Sequence, residues 1–377
     1  MRDVEYKICK RCIMDTTSDP NLILDEEGVC NYCRAYDIEE AKIQHMRSPK
    51  QVESLFETIK RESKNCDFDC ILGISGGVDS SYLAYLACEY DLRILAVHVD
   101  CGWNSELAVH NIESICNNLK LDLHTVVVDW ETMKELQRAY LFSGLANQDV
   151  PQDHCFLPAT RQIASRYKVR YILNGYNLST EGILSTAYQQ SAADWGMIKD
   201  VYRKHGRGGN LSKYPHNTLF DKYVTNPLLH GQIKVAPLNL IDYHKKDAIA
   251  LLEREFDWKY YGGKHYESRF TKFFQETYLP ERYGWEKRRD HLSSLIVGGE
   301  LSREEALREM KAEPTTEHSR DEERDYVLKK LDISREEWDN ILKLPHRTLL
   351  DFRGDYRFEE KLKEIKRKYF SSIVVKE

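Results

Sequence analysis

The sequence predicts a doubly wound α/β sheet, preceded by a cysteine-paired segment and followed by a helical region. The first observation is a set of four short runs rich in β-branched residues, typical of buried parallel strands: CILGI (70–74), ILAVHV (94–99), LHTVVV (123–128) and RYILN (170–174). The second observation is that helical patterns separate these runs. Alternation of this kind indicates parallel strands joined by crossover helices.

The helical patterns have recognisable faces and starts. SPKQVESLFETIKRES (48–63) precedes the first strand, and SREE at 302–305 and 334–337 is a capping-box pattern that starts two helices. In SELAVHNIESICNNLK, four apolar positions form one helical face: Ala108, Ile112, Ile115 and Leu119.

The stretch 185–235 breaks the alternation, and KHGRGGNLSKYPHNTLFD within it predicts a long loop, either a substrate lid or a surface insertion. We therefore divide the chain into a four-cysteine zinc-ribbon segment (1–45), a sheet domain (50–245) and a mainly helical C-terminal region (246–377) that binds substrate or a partner.

The composition is that of a globular protein. The 377 residues are 41% hydrophobic and 31% charged, ordinary values for a globular protein. The N-terminus lacks an apolar signal core and no stretch approaches the length of a membrane span, so we expect a cytoplasmic protein without a membrane partner. The net charge of −6 gives no overall attraction to nucleic acid.

Four of the ten cysteines form two pairs, CKRC (9–12) and CNYC (30–33), with the spacing C-x2-C-x17-C-x2-C. Two such knuckles can close a tetrahedral thiolate site, so Cys9, Cys12, Cys30 and Cys33 predict a structural Zn²⁺ site. An iron–sulfur cluster is the alternative. The other cysteines outside residue 155 are expected to be small core side chains.

The motif ILGISGGVDSS (71–81) predicts an anion-binding loop. A strand ends at Ile74, Ser75-Gly76-Gly77 form the turn, and Asp79 and Ser80 open the next helix, whose N-terminal N–H groups favour an anion. The commoner phosphate loop carries a lysine after its glycines. Here an aspartate stands where it could bind a metal ion, or alternatively could only cap the helix.

This motif resembles the signature of the PP-loop ATP pyrophosphatases, a superfamily that includes GMP synthetase, asparagine synthetase, NAD synthetase and tRNA thiolases. Three further stretches resemble later elements of that superfamily in the same order: AVHVDCG (96–102), ILNGYNLSTEG (172–182) and VAPLNLIDYHKKDAIALL (235–252). The resemblance implies cleavage of ATP between its α- and β-phosphates and transfer of AMP to a carbonyl oxygen.

The resemblance also implies roles for single residues. Pyrophosphate would lie against Ser75, Gly76, Gly77 and Ser80, and Asp79 would bind Mg²⁺. Asp100 and Gly175 would lie beside the nucleotide. Glu181 is a second candidate for the metal ion, and a solvated loop carboxylate is its alternative interpretation.

Within the superfamily, the four-cysteine segment, PQDH (151–154), NGYNLSTEGIL (174–184) and the segment 260–310 resemble the N-acetyl sugar amidotransferases of bacterial lipopolysaccharide and flagellin biosynthesis. That family converts an acetamido group to an acetamidino group with ATP and ammonia. The resemblance implies an N-acetyl sugar substrate, UDP-linked in our expectation, and separate glutaminase and cyclase-like subunits that supply ammonia.

The candidate substrate residues follow from these segments. Asp153 and His154 follow a proline turn, and Lys264, Arg269 and Lys272 could contact phosphate, although interspersed glutamates also fit an ordinary charged helix face. Tyr260, Tyr261 and Tyr266 either stack on the substrate or pack in the core.

The second hypothesis is a PP-loop tRNA thiolase, in which Cys155 would be a reactive thiol. We favour the interpretation that Cys155 packs at a helix start. The third hypothesis, a non-enzymatic scaffold, does not explain the intact Ser-Gly-Gly-Val-Asp-Ser motif.

Overall fold

A computed structural model describes residues 5–188, 192–312 and 316–369, with side chains as far as residue 362. Its centre is a five-stranded parallel sheet with the strand order β3-β2-β1-β4-β5. The strands are β1 (Cys70–Gly73), β2 (Ile94–Asp100), β3 (Asp122–Val127), β4 (Tyr171–Leu173) and β5 (Ile233–Val235). The chain winds outward from β1 in both directions, which confirms the predicted doubly wound sheet.

The described helices are α1 (Asn31–Ile43), α2 (Pro49–Glu62), α3 (Val78–Glu89), α4 (Glu106–Leu119), α5 (Trp130–Leu141), α6 (Val150–Arg166), α7 (Leu178–Glu181), α8 (Trp195–His205), α9 (Lys245–Phe256), α10 (Arg269–Phe273), α11 (Leu279–Tyr283), α12 (Arg288–Val297), α13 (Arg303–Lys311), α14 (Glu317–Lys330), α15 (Arg335–Lys343) and α16 (Tyr356–Tyr369). A π-helical turn, Phe274–Tyr278, joins α10 to α11. Both predicted capping boxes are present, at Ser302 before α13 and at Ser334 before α15.

The sheet separates two hydrophobic cores because neighbouring side chains on a strand point to opposite faces. Ile71, on β1, contributes to the core beneath α5, α6 and α8. Leu72, the next residue, contributes to the core beneath α2, α3, α4 and α9. The predicted apolar face of α4 lies in that second core, with Ile112 and Ile115 buried. Helices therefore cover both faces of the sheet, as the alternating pattern predicted.

The region after the sheet is helical, as predicted. It packs on the first core through Phe270, Phe273 and Trp338. Helix α9, although it begins at the predicted boundary, packs against α3 and so covers the sheet. The described residues contain no helix that is both long and apolar enough to cross a bilayer.

Residues 206–218, within the stretch KHGRGGNLSKYPHNTLFD, form a loop as predicted. The rest of 185–235, of which residues 189–191 lie outside the described chain, breaks the sequence alternation without being all loop. It contains α8, capped by Asp194, and the last strand of the sheet. Helix α8 buries Trp195, Ile198 and Val201. The glycine- and lysine-rich residues after α8 obscured this short amphipathic pattern, and β5 has only three residues.

The N-terminal segment packs on the C-terminal region. Ile13 is fully buried in a small core with Leu292 of α12 and Ala306 of α13. The Arg303 guanidinium donates hydrogen bonds to the carbonyl oxygens of Cys12 and Cys9, at 3.0 and 3.1 Å. The N-terminal segment therefore packs on α12 and α13, and hydrogen bonds to its backbone hold the first cysteine pair.

Replacing Ile112 by alanine tests the α4 face. Ile112 is 4% exposed, so Ile112→Ala removes buried methyl groups and leaves a cavity; we expect a loss of about 2–5 kcal/mol in the free energy of unfolding, measured by chemical denaturation. Val109→Ala, on the exposed side of the same helix, should change it by about 0.5 kcal/mol or less. Equal effects of the two substitutions would contradict the described packing.

Candidate functional site

The predicted anion-binding loop connects β1 to α3 at the point where the chain direction across the sheet reverses. Ligands of doubly wound sheets bind at this switch point, at the carboxyl ends of the strands. Gly76 has a φ of +79°, and a Cβ on it would lie 2.6 Å from the Ala108 carbonyl oxygen. The positive φ and the close approach to the Ala108 carbonyl oxygen each require glycine at this position. The Ser75 hydroxyl accepts the Gly77 N–H at 3.2 Å, and no side chain caps α3.

The loop is held from the C-terminal side by residues 258–269, which we call the crossing segment. The Trp258 indole donates to the Gly76 carbonyl oxygen at 3.0 Å, and Asn111 of α4 donates to the same oxygen at 3.3 Å. The Tyr261 hydroxyl accepts the Val78 N–H at 3.3 Å. Backbone pairing of Asn104 with Ser268 fixes the segment over the end of β2. The crossing segment thus borders the anion-binding loop.

Asp79 lies in the first turn of α3, as predicted, and its side chain does not cap the helix. Its carboxylate accepts hydrogen bonds from the Tyr243 hydroxyl at 2.6 Å and from the Asn177 amide at 3.2 Å. Burial first, and then the Glu181 carboxylate, raise the pKa of Asp79, although Lys264 and Lys245 oppose that rise. A carboxylate held in this way gains from a nearby cation, since a positive charge offsets the cost of its burial.

A cavity of about 1090 Å³, which we call the main cavity, opens beside this loop. Ile74, Ser75 and Val97 line it from the carboxyl ends of β1 and β2, as a nucleotide site in this fold requires. Its charged lining is mostly acidic. Its lining contains two lysines, Lys264 and Lys287, and five carboxylates: Asp149, Asp153, Glu181, Glu267 and Glu360.

The structure brings four of the predicted site residues to the wall of the main cavity: Ser75, Asp153, Glu181 and Lys264. The Lys264 ammonium lies 3.1 Å from a Glu181 carboxylate oxygen and donates to the Thr180 carbonyl oxygen at 2.8 Å. Burial raises the pKa of Asp153 to about 6, against the effect of His265 and Lys287.

The rest of the predicted loop lies directly behind Ser75. The Ser80 hydroxyl is 3.3 Å from that of Ser75 and donates to the Gly77 carbonyl oxygen at 3.2 Å. Gly175 approaches closely, because a Cβ on it would lie 3.0 Å from the backbone of Asp79 and Ser80.

Two predicted substrate residues point elsewhere. His154 is 4% exposed, and its ring centroid lies 5.7 Å from that of Trp195 and 5.8 Å from that of Tyr214. Burial lowers its pKa to about 4, so it is a neutral core side chain. The Arg269 guanidinium binds the Glu323 carboxylate of α14 through two hydrogen bonds, at 2.8 and 3.0 Å. These contacts hold helices together and leave neither side chain at the cavity.

Two further predictions need the same correction. Lys272 lies over the Tyr266 ring, with 5.3 Å between its ammonium and the ring centroid, and does not line the main cavity. The Asp100 carboxylate accepts the Gly102 N–H at 2.7 Å and so stabilises the turn after β2. Each of these two side chains therefore has a contact within the protein.

Sequence reasoning missed three charged residues near the site. Lys245 lies near Asp79, Glu267 and Glu181, and burial lowers the pKa of its ammonium. Glu267 lies on the crossing segment, and its carboxylate is 3.4 Å from the position of a Cβ on Gly77. Asp149, one turn before Asp153, accepts from the Thr271 hydroxyl at 3.1 Å, and burial raises its pKa strongly. Only Lys245 had a sequence signal, since it lies in the stretch 235–252 that resembles a later element of the PP-loop superfamily.

The four paired cysteines come together as predicted. Their sulfur atoms all lie within 4.8 Å of one another and are buried, with 3.9 Å between Cys9 and Cys33 and 3.6 Å between Cys12 and Cys30. Backbone N–H groups point at these sulfurs, such as that of Met14 at Cys12 at 3.4 Å. Four sulfur donors with amide support fit a bound metal ion.

A second sulfur pair lies beside the main cavity. The sulfur atoms of Cys101, after β2, and Cys155, on α6, are 3.3 Å apart, and both side chains are buried. Cys101 lines the cavity, whereas Cys155 packs behind it. The contact with Cys155, and then burial, raise the pKa of the Cys101 thiol well above its usual value, which disfavours the nucleophilic thiolate.

Two protein families match separate parts of this chain. Residues 69–167 match the family described as queuosine biosynthesis protein QueC. Residues 267–363 match the C-terminal domain of the LPS biosynthesis protein WbpG-like family. The first match contains the anion-binding loop, and the second contains most of the described helices that follow the crossing segment.

Two curated proteins are similar over part of their length. One is the glutamine-dependent NAD(+) synthetase of Aquifex aeolicus, with 27% identity over 173 residues, 41% of this chain and 30% of that protein. The other is the tRNA(Ile)-lysidine synthase of Chlamydia pneumoniae, with 29% identity over 96 residues, 24% of this chain and 28% of that protein. The matches therefore span less than a third of the length of either relative.

Solved structures show weaker likeness. The NMN synthetase of Francisella tularensis has 13% identity and a TM-score of 0.29, over 58% of this chain and 99% of that one. The U34-tRNA thiolase NcsA of Methanococcus maripaludis, with its [4Fe-4S] cluster, has 14% identity and a TM-score of 0.29, over 82% and 89% of the two chains.

The two family matches, the related synthetases and the loop at the switch point of a parallel sheet agree with one another. The chain therefore belongs to the PP-loop ATP pyrophosphatase superfamily and carries a WbpG-like C-terminal domain.

Proposed function

We propose that the protein is an ATP-dependent amidotransferase that converts the acetamido group of an N-acetyl sugar, carried on a nucleotide, to an acetamidino group. The acetamido oxygen would attack the α-phosphorus of ATP and release pyrophosphate. Ammonia would then add to the activated carbon, and AMP would leave with the original oxygen. Adenylation is needed because an amide oxygen is otherwise a poor leaving group.

The observation that carries this proposal is the shared main cavity. Ser75, Val97 and Asp149 line it from the part of the chain that matches the QueC family, and Thr271 and Lys287 line it from the WbpG-like domain. A nucleotide at the anion-binding loop and a ligand of the C-terminal domain would therefore meet in one space. The WbpG-like family is described by lipopolysaccharide biosynthesis, which supports a sugar substrate.

The charged groups near the loop suit this reaction. Lys245 and Lys264 lie near Asp79 and Glu181, where charge would develop on the departing pyrophosphate. Asp79 and Glu181 would hold Mg²⁺, which supplies the positive charge that neutralises the phosphates when bound. Asp153, with its pKa raised to about 6, can accept a proton from the attacking nitrogen near neutral pH.

The proposal includes the source of ammonia and the place of the reaction. Separate glutaminase and cyclase-like subunits would supply ammonia to this chain in the cytoplasm. The resemblance of residues 260–310 to the amidotransferase family supports the source of ammonia.

The second candidate function is sulfur transfer to tRNA. The Cys101–Cys155 pair favours it, since it places two thiols beside the cavity. The burial of Cys155 and the raised pKa of Cys101 count against a reactive thiolate. Sugar amidation needs neither thiol.

The products decide between these reactions. With ATP, Mg²⁺, ammonium at alkaline pH and a panel of UDP-N-acetyl sugars, we expect AMP and pyrophosphate in equal amounts with the accepted sugar, measured by chromatography. The sugar product should carry NH in place of oxygen, measured by mass spectrometry. Formation of ADP and phosphate would contradict the proposed adenylation.

Asp79→Asn provides the inactive control for this assay, since it keeps the shape but removes the charge near the metal ion. We expect a rate loss on the order of 100-fold or more, because bound metal ions contribute several kcal/mol to such transition states. Asp247→Asn, an exposed carboxylate on α9, should keep the full rate.

Replacing the buried thiol separates amidation from sulfur transfer. Cys155→Ala should retain amidation within about threefold, because the substitution removes only one small buried side chain that packs behind the cavity wall. The same variant would abolish sulfur transfer to tRNA if that were the reaction. Loss of amidation by a variant with unchanged thermal stability would contradict the proposal.

Metal analysis tests the cysteine cluster. We expect one Zn²⁺ per chain by elemental analysis, and Cys12→Ser should lower both the zinc content and the melting temperature, because metal binding stabilises such segments. Cys66→Ser removes a partly exposed thiol outside the cluster and should leave the zinc content unchanged. Iron with visible absorbance in place of zinc would identify a cluster instead.

A further inference from the structure

A second cavity of about 620 Å³ adjoins the main cavity, and we call it the basic cavity. The crossing segment, the start of α12 and the end of α13 form its walls. Three carboxylates line it, together with six cationic side chains: Lys245, Lys264, Lys287, Arg288, Lys311 and Arg320. Its charge is therefore opposite in sign to that of the main cavity, and anions favour it.

Among the residues that the structure describes, the ammonium groups of Lys245 and Lys311 make no close ion pair and no hydrogen bond, although Asp79, Glu267 and Glu181 act on Lys245 at longer range. Three others are paired within the protein, Lys264 with Glu181 at 3.1 Å, Lys287 with Asp290 at 3.0 Å and Arg288 with Glu286. Buried cations are costly without a counter-charge. Burial accordingly lowers the pKa of Lys245, and an anionic ligand in the cavity would offset that cost.

His291 adds no charge to the basic cavity. It lies between the two cavities, and burial, followed by Lys287 and Lys264, lowers its pKa well below the usual range. The excess of positive charge therefore comes from the lysine and arginine side chains.

Aromatic side chains form another part of the wall. Tyr260 is 40% exposed, and Tyr266 and Trp285 also line the basic cavity. Aromatic faces beside cations suit a ligand that combines a flat ring with phosphate charge. A volume of about 620 Å³ lies within the usual range for small-molecule sites, so one nucleotide fits it.

The two cavities share part of their walls. Both are lined by Thr180, Lys264, Gln275, Lys287 and His291. A ligand in the basic cavity could thus extend one end past this shared wall towards Ser75 and the anion-binding loop.

We propose that the basic cavity binds the diphosphate of the nucleotide that carries the substrate, and directs the attached group into the main cavity. This inference rests on the proposed function and adds the location and the residues of carrier recognition. Pyrophosphate released from ATP is the other source of a diphosphate, and the experiment separates the two.

The test is equilibrium binding by calorimetry, without ATP or sugar. UDP and inorganic pyrophosphate are titrated into the wild-type protein, Lys311→Glu and Lys343→Glu. Lys311 is exposed at the end of α13, so its replacement leaves the core intact, and Lys343, exposed at the end of α15, gives the same change of net charge away from the cavity. Lys245→Met tests the opposite wall.

We expect UDP to bind the wild-type protein and Lys343→Glu equally, and to bind both Lys311→Glu and Lys245→Met at least about tenfold more weakly. No UDP binding by the wild-type protein, or equal binding by all four proteins, would overturn the inference. Weaker binding of pyrophosphate with unchanged binding of UDP would overturn it as well, since the cavity would then hold the leaving group.

Binding is measured without turnover, so this inference and the proposed function fail separately. UDP binding that depends on Lys311, in a protein that forms no AMP with any N-acetyl sugar, would refute only the amidation reaction. If the protein forms AMP with a sugar nucleotide but its affinity for UDP is unchanged by Lys311→Glu, only this site would be refuted.

Discussion

The close approach of Gly76 to the backbone of α4 is the contact on which the rest of the site depends. No side chain fits there, since a Cβ would lie 2.6 Å from the Ala108 carbonyl oxygen. The Gly76 carbonyl oxygen, turned outward by this conformation, accepts hydrogen bonds from Asn111 and Trp258. One backbone carbonyl thus joins the strand, the helix after β2 and the crossing segment, and this fixes the C-terminal region relative to the sheet.

The distribution of charge follows from that arrangement. The crossing segment brings Glu267 to the carboxylate-rich main cavity, and Tyr260 and Lys264 to the basic cavity. One stretch of chain therefore separates spaces of opposite charge. In the reaction that we propose, a metal-bound nucleotide and an anionic substrate would each meet complementary charge in such an arrangement.

The N-terminal cysteine segment supports the site indirectly, through contacts with the helices of the C-terminal region. Arg303 and Arg289 donate hydrogen bonds to the backbone of residues 9–13, and Ile13 is buried against α12 and α13. Helix α12 also supplies His291, which lies between the cavities. The N-terminal segment therefore stabilises the wall of the site, although none of its described residues, from Glu5 onward, lines either cavity.

The sequence by itself determined the features that depend on local pattern. Strand runs, helix faces, capping boxes, the Ser-Gly-Gly-Val-Asp-Ser turn and the cysteine pairs were all readable, because periodicity, backbone conformation and ligand spacing act between residues close in the chain. These patterns were enough for the fold class and for the position of the turn between β1 and α3. They failed for α8 and β5, whose short patterns sit beside glycine-rich residues.

Only the tertiary structure decided which charged side chains face the site. Arg269 and Lys264 are equally basic and close in sequence, yet Arg269 binds Glu323 of α14 whereas Lys264 lies between both cavities. His154 is held in an aromatic stack, while Asp153, its neighbour, lines the main cavity. Partners far apart in the chain set each outcome, and a charged side chain goes to whichever partner offsets the cost of its burial.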